Sequence, residues 1–503
     1  MKKYVILSMF FALIFVLAAC KPSGGEESTN SHGTTPESTT TANDAASGPV
    51  TDDLGEMDFE GYVFRVLEWP NAGGEHTNIV PEEIYGDILN DSIYNANKRV
   101  EERFDLTFER IDGGMWNQAP ELIRKTVKAG ENAYDLALIV DRQAISLAME
   151  GRYFYSADEL TNINLEKPYW DKFINDALSI DGVKYIIYGS NVMSTMDYMS
   201  VLVYNKQIMQ NEGIAENIYD LVRSGKWTMA KMYELGRSAT RELDGDNIAT
   251  DADQYGMVFS YDYYYPCFWY ADKIPLVAKN SDDLPYFNVP GNQRLFDIFE
   301  KQYEYAHSGV EFDVLAKAQA GKLTKYTWEG YITVANMFAD GHALFAGSSM
   351  YQMQSLRYME DDYGIIPYPT LDEQPAGTPY IARIGGGNPL IVPSSNPNAN
   401  IASAVLEALA CEYYLNVIPS YYSLVVQQKS TRDEESIEIL DMLRANKFMD
   451  LGDSYWAGDI RGVYQSLPYA DSNIFASKTE EIEIVVKGKL ETAIEAFRAA
   501  KAQ

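Results

Sequence analysis

Histidine and cysteine are scarce in this chain, and several common catalytic signatures are missing. Only four histidines occur in 503 residues: His32, His76, His307 and His342. They form no HExxH and no closely spaced pair, which argues against the usual zinc arrangements. The three cysteines are Cys20, Cys267 and Cys411; the last two lie far apart in sequence, and a disulfide between them is open but has no support in the sequence. There is no GxSxG elbow, which argues against a serine hydrolase of that type. The run Gly385-Gly386-Gly387 is not a GxGxxG fingerprint and gives no reason to expect a nucleotide. Positive charge is in deficit: 41 Lys and Arg stand against 73 Asp and Glu, a net charge of -32. Such a chain is repelled by nucleic acid and by anionic membrane surfaces, so no nucleic-acid partner is expected. The acidity does not identify a ligand, because an acidic exterior is ordinarily just a solvated one. No internal repeat is visible. Beyond the N-terminus no apolar run looks long enough to span a bilayer.

The N-terminus itself is apolar. Lys2 and Lys3 precede a run from Val5 to Leu17, a positive n-region followed by an h-region that is too short for a transmembrane helix. The run ends in Leu17-Ala18-Ala19-Cys20. Small residues before a cleavage point suit a signal peptidase, and the cysteine directly after them resembles the lipobox of bacterial lipoproteins. By that resemblance residues 1–19 are a leader, Cys20 is the first mature residue, and Cys20 carries a lipid that holds the protein on the extracellular face of the cell membrane. The alternative is an ordinary signal peptide that happens to contain a cysteine. Residues 20–50 are rich in Ser, Thr, Gly, Pro and Asn and lack aromatics. They cannot bury enough apolar surface to offset their ordering entropy, so they read as a tether.

The remaining body is rich in apolar residues, at 46% hydrophobic and 13% aromatic over the chain. That is ample for a large core, and length alone suggests more than one lobe. Tyr62 to Leu67 reads as a buried strand. Leu89, Ile93, Val100 and Phe104 recur at near-helical spacing and predict a helix over 88–104. Leu106 to Ile111 alternates as a strand does. Ile123 and Val127 mark a second helix that Gly130 stops, and Ala133 to Val140 is an apolar strand behind it. This β-α-β-α-β order predicts a mostly parallel sheet with helices on its faces. Ligands of such sheets bind beyond the carboxyl ends of the strands, which here means near Glu68-Trp69, Gly113 to Trp116 and Asp141-Arg142. Further on, Met199 to Tyr204 reads as a strand, Thr228 is placed to cap a helix, and Tyr255 to Tyr270 is dense in aromatics. Gly364 to Pro369 and Leu390 to Pro393 read as short strands. Leu490, Ile494 and Phe497 form one face of a final helix.

Several of these segments resemble the extracellular solute-binding proteins of ABC importers, the broad group that includes maltose-binding protein. They are Val203-Tyr204-Asn205-Lys206, Gly225-Lys226-Trp227-Thr228, the stretch Met337 to Phe345 (MFADGHALF), and the stretch Met359 to Pro369 (MEDDYGIIPYP). Their order and spacing cover the chain from about residue 59 to its end. The resemblance implies a type II periplasmic-binding-protein-like α/β fold: two lobes joined by crossing strands, with the ligand cleft between them and hinge closure around the ligand. It divides the body into 51–197 (first lobe), 198–384 (second lobe), 385–430 (first lobe again) and 431–503 (second lobe). The crossovers fall after Met196 to Tyr198 and near Arg383 to Gly387. The glycine run there is either a hinge or a plain tight turn. The implied activity is not enzymatic. It is capture of a carbohydrate, most naturally an oligosaccharide, for transfer to the transmembrane subunits of a permease, with the protein acting as a monomer.

Sugar rings have apolar faces on which aromatics stack, and hydroxyl edges that carboxylates, Arg and amides bond. The candidates for ligand contact are therefore Trp69, Trp116, Asp141 and Arg142 on the first lobe, Asp197, Tyr198 and Arg383 at the crossovers, and Tyr264, Tyr265 and Trp269 on the second lobe, and the resemblance adds Tyr351, at a place where the family often puts a stacking aromatic. Each has a plainer alternative. An aromatic in a chain with 37 tyrosines is more often core or general surface, and Asp141-Arg142 can be a simple ion pair. Trp170 and Trp227 read as packing residues beside helix starts. One stretch nearly fits a calcium loop, with Glu242, Asp244, Asp246, the Ile248 carbonyl, Thr250 and Asp253 at the six ligand positions. It departs from the pattern in Glu at position 1, Asn at position 6 and Asp at position 12, and the alternative is an acidic, solvated turn. No cofactor is otherwise required. A secreted glycoside hydrolase, which needs two carboxylates flanking a bond, and a sensing or glycan-adhesion lipoprotein are the competing functions.

Overall fold

The structure, a computed structural model, describes residues 49–69, 79–80, 84, 86–115, 117–243, 245–246, 248–426 and 434–502. Val50–Gln503 forms one compact unit. The leader, Cys20, Trp116, Asp244 and Asn247 lie outside the described residues.

The first lobe is built as the hydrophobic periodicity predicts. Strand β1 (Tyr62–Glu68) is followed by helix α1 (Ile88–Phe104), β2 (Leu106–Asp112), α2 (Ala119–Ala129), β3 (Leu136–Leu138) and α3 (Asp141–Glu150). Asp87 caps α1 by accepting from the Leu89 and Asn90 amides. Gly130 ends α2 at φ 66°, where a Cβ would be strained. Strand β1 pairs in parallel with both β2 and β3, and the edge pair Leu390–Ile391 adds antiparallel to β3. The third strand is shorter than Ala133 to Val140 suggests. It stops at Leu138, and its continuation turns into α3.

The second lobe has a five-stranded sheet in the order 363–366, 200–205, 343–349, 255–259, 311–313. Strand β4 (Ser200–Asn205) is antiparallel to both neighbours, whereas Tyr255–Phe259 runs parallel to Ala343–Ser349 and Glu311–Asp313. Thr228 accepts from the Lys231 amide and caps the helix Met229–Ala239. Trp227 is fully buried and donates to the Pro367 carbonyl, and Trp170 donates to Glu407 inside the first lobe. Both are packing residues. The final helix, Phe475–Lys501, buries Leu490 and Phe497 and half-buries Ile494.

One expectation is corrected. The helical stretch Ala399–Ser423 is long and apolar enough to cross a bilayer by length and composition, where no such run was expected. Its window is 67% buried inside the molecule, because it is the core helix of the first lobe and packs on α1. A largely apolar helix is what a mostly buried core position requires.

Candidate functional site

Two chain segments cross between the lobes side by side. Met199 bridges Ile384 in antiparallel fashion, and the Gly385 amide donates to the Tyr198 carbonyl at 3.1 Å. The Asp141 amide donates to Gly387 at 3.0 Å, and the Asn388 amide to Ser194 Oγ at 2.9 Å. These bonds tie the return crossing to the carboxyl end of the first sheet. Packing explains the glycines. A Cβ on Gly385 would stand 2.7 Å from the Tyr263 hydroxyl, one on Gly387 would stand 2.9 Å from the Tyr188 ring, and Gly386 takes φ 148°.

A cavity of about 410 Å³ opens at this crossing. Trp69, Asp141 and Arg142 line it from the first lobe, and Asp262, Tyr263 and Tyr331 from the second. Tyr198 and the glycine run form its floor, and Arg461 and Gln465 enter from the C-terminal segment. Trp69 and Asn388 hold each other. With the amide turned to satisfy both of its ends, Asn388 accepts from the indole N–H at 3.3 Å and donates to the Gly387 carbonyl. Tyr263 donates to the Tyr198 carbonyl at 3.1 Å, and Tyr331 donates to Asp262 at 2.8 Å. A second cavity of about 510 Å³ shares Tyr198, Tyr263 and Tyr331 with the first and continues it over Tyr351, Arg357 and Tyr358. The Arg357 guanidinium lies 4.7 Å over the Tyr358 ring, which is 79% exposed.

Charge in the inner cavity is arranged in layers. Beneath it, Arg383 makes a buried two-point ion pair with Asp453 at 2.5 and 3.0 Å, and Arg461 reaches the same carboxylate at 3.1 Å. Burial raises the Asp453 carboxyl, but the two guanidinium groups outweigh it and hold it below the usual range. Asp141 is only 5% exposed. Burial pushes its carboxyl up to about 6, against the pull of the adjacent Arg142.

Trp69, Asp141, Arg142, Tyr198 and Tyr351 thus converge on one cleft from separate parts of the sequence. Others do not reach it. Arg383 is buried beneath the wall, donating to Asp453 and to the Tyr263 carbonyl, with its charge 5.1 Å from the Tyr263 ring. Asp197 is fully buried, accepts from Tyr421 and gives its carbonyl to the Tyr351 amide. Tyr264, Tyr265 and Trp269 are core residues, which corrects their expected place on the cleft wall. Tyr264 fills the space above Gly347, Tyr265 stacks on Tyr469 at 5.7 Å, and Trp269 donates to Gln302. Their helix, Tyr261–Ala271, is buried on nearly every side, so only its first turn, through Asp262 and Tyr263, meets the cleft. Asp262, Tyr263, Tyr331, Asn388, Arg461 and Gln465 were missed. The signal within reach was Asp262, the one acidic residue in that helix, which marks its wet end.

The acidic stretch Glu242 to Asp253 closes on its own backbone. Glu242 accepts from the Gly245 and Asp246 amides, Asp246 from Ile248, and Asp253 from Leu243 and Thr250. Among the described residues no group of three or more His, Cys, Asp or Glu is placed to hold a metal ion.

No family model and no curated protein matches the chain. Solved structures do. A sugar transporter from Rhizobium etli in an open conformation aligns with a TM-score of 0.55 at 15% identity, over 87% of this chain and 100% of that one. The sugar-binding protein MalE from Xanthomonas citri aligns at 0.56 and 12% identity, over 88% and 99%. UgpB from Mycobacterium tuberculosis, in complex with glycerophosphocholine, aligns at 0.52 and 14% identity, over 86% and 98%. By fold, the described unit is a two-lobe α/β molecule of the periplasmic-binding-protein kind, with its cleft at the crossing of the lobes.

Proposed function

We propose that the chain is the substrate receptor of an ABC importer, anchored through a lipid on Cys20 to the extracellular face of the membrane, and that it captures an oligosaccharide for a permease. The observation that carries this reading is the composition of the two joined cavities. Trp69 faces the cleft from one lobe and Tyr263, Tyr331 and Tyr351 from the other, while Asp141, Arg142, Asp262, Arg461 and Gln465 stand between them. Aromatic planes suit the faces of pyranose rings, and the charged and amide groups suit their hydroxyl edges. Two adjoining chambers favour a chain of several rings over a single one. The descriptions of the Rhizobium protein as a sugar transporter and of the Xanthomonas protein as sugar-binding agree with this. The reading assigns binding without cleavage.

The test is a thermal-shift screen of the mature protein against mono- and oligosaccharides, uronates and peptides. A ligand that binds only the folded state adds about 2.7 kcal/mol of stability at a hundredfold excess over Kd. The expected result is a raised midpoint with one glycan class, recovered uncleaved, and loss of that shift in Trp69→Ala. Turnover of the glycan would instead establish a hydrolase, and the absence of any shift across the panel would remove the carbohydrate assignment. A sensor would keep the binding, and only glycan uptake that persists in cells lacking the protein would identify it.

A further inference from the structure

Every described arginine except Arg142, Arg237 and Arg357 stands within ion-pair reach of a carboxylate. Arg237 donates instead to the Tyr233 hydroxyl at 3.2 Å. The Arg142 guanidinium makes no hydrogen bond or ion pair with any described residue, and that of Arg357 has only the Tyr358 ring beneath it. Both side chains line the joined cavities, Arg142 the inner one and Arg357 the outer one. The chain carries 73 Asp and Glu against 41 Lys and Arg. An unpaired guanidinium is therefore the exception here, and both exceptions fall in the cleft. The acids of the inner cavity are already engaged. Asp453 is held by Arg383 and Arg461, Asp262 accepts from the Ser260 and Tyr331 hydroxyls, and Asp141 accepts from the backbone amide of Arg142. Glu329 is the one acid lining the outer cavity, and it is exposed.

We propose that the glycan is acidic, with an oxyanion on more than one ring, one bound by Arg142 in the inner cavity and another by Arg357 in the outer; this rests on the carbohydrate reading of the cleft. A guanidinium offers five donors and no acceptor, in a planar fork that bonds an oxyanion at two points. Such charge-assisted bonds are roughly twice as strong as those to a neutral hydroxyl. A neutral glycan would cover both charges and leave them without a counter-ion, which costs free energy. The carboxylate of a uronic acid and the sulfate ester of a sulfated sugar both supply the group required. Trp69 and Tyr351 keep the ring faces, and Asp141 a ring hydroxyl. The net charge of -32 opposes an anion at long range. That field is screened within about 8 Å at physiological ionic strength, so the local contacts decide.

The experiment is calorimetry of the mature protein with oligosaccharides of galacturonate, mannuronate and glucuronate, each beside its methyl ester, which keeps the rings and removes the charge. A sulfated galactan oligosaccharide and neutral maltotriose and cellotriose complete the panel. At least one acidic oligosaccharide is expected to bind. Esterification should weaken a bound uronate at least tenfold, and Arg142→Gln should weaken any bound acidic oligosaccharide at least tenfold. Arg357→Gln should cost affinity for the oligomer but not for its monosaccharide. Arg142 is exposed, so both variants should melt with wild type in the absence of ligand, and Arg142→Lys should recover part of the loss. Binding of the sulfated oligosaccharide with the same dependence on Arg142 supports the inference and names sulfate as the anion. Binding of a neutral glycan with no acidic one, an ester as tight as its acid, or affinity unchanged in Arg142→Gln would overturn it and leave the carbohydrate reading standing. No binding by any glycan, neutral or acidic, would remove both.

Discussion

Asp141 shows how one residue couples site and stability. Its carboxyl is raised from 3.8 to about 6, so the folded state binds a proton more tightly than the unfolded chain does. The cost is absent below the unfolded pKa and grows as pH rises through the folded one. Asp141→Asn should therefore match the wild-type stability at pH 3 and exceed it at pH 8 by up to about 3 kcal/mol, with a raised melting midpoint. Thermal melts at the two pH values check this, and a midpoint below wild type at pH 8 contradicts it. The same variant is expected to weaken the glycan, because the group faces the cavity. The acidic loop behaves differently. Its described carboxylates are engaged by backbone amides, so a chelator should leave the melting midpoint unchanged. A rise with added calcium would mark Glu242 to Asp253 as a metal loop after all.

At the scale of elements, the crossing segments matter most. Gly385 has no room for a methyl group, because the Tyr263 hydroxyl that anchors on Tyr198 occupies it. Gly385→Ala should displace Tyr263, lower stability by about 1–3 kcal/mol, and weaken ligand at least tenfold in the same thermal-shift assay. A variant that binds normally would make the glycine run a turn without a role in the site. The aromatic helix Tyr261–Ala271 carries a related lesson. Its density of rings was legible in the sequence, but its facing was not. A helix buried on nearly all sides has no polar face to set its phase, so Tyr263 could not be told from Tyr264 by pattern.

Across the whole molecule, the two lobes meet at a further contact besides the crossing. The hairpin of Val277–Lys279 and Pro285–Phe287 touches the first lobe through Asp283, which accepts from the Gly182 amide, and through Lys279, which donates to Ser179. Small-angle scattering should show a smaller radius of gyration when a bound glycan closes the cleft. Scattering that is unchanged at saturating ligand would mean that the lobes are already closed.

The sequence by itself determined the order of strands and helices in the first lobe, because periods of 2 and 3.6 write burial directly into residue spacing. It also placed Trp69 and Asp141-Arg142 at strand ends, and Tyr198 at a crossing. Only the tertiary structure decided which side chains share the cleft. Arg461 and Gln465 lie some 320 residues beyond Asp141 in the chain, and nothing local marks them as its neighbours. Arg383 looked like a ligand contact until Asp453 was seen to neutralise it from 70 residues away. Local pattern reports how a segment is buried, whereas the partner of a buried charge is set by how distant segments pack.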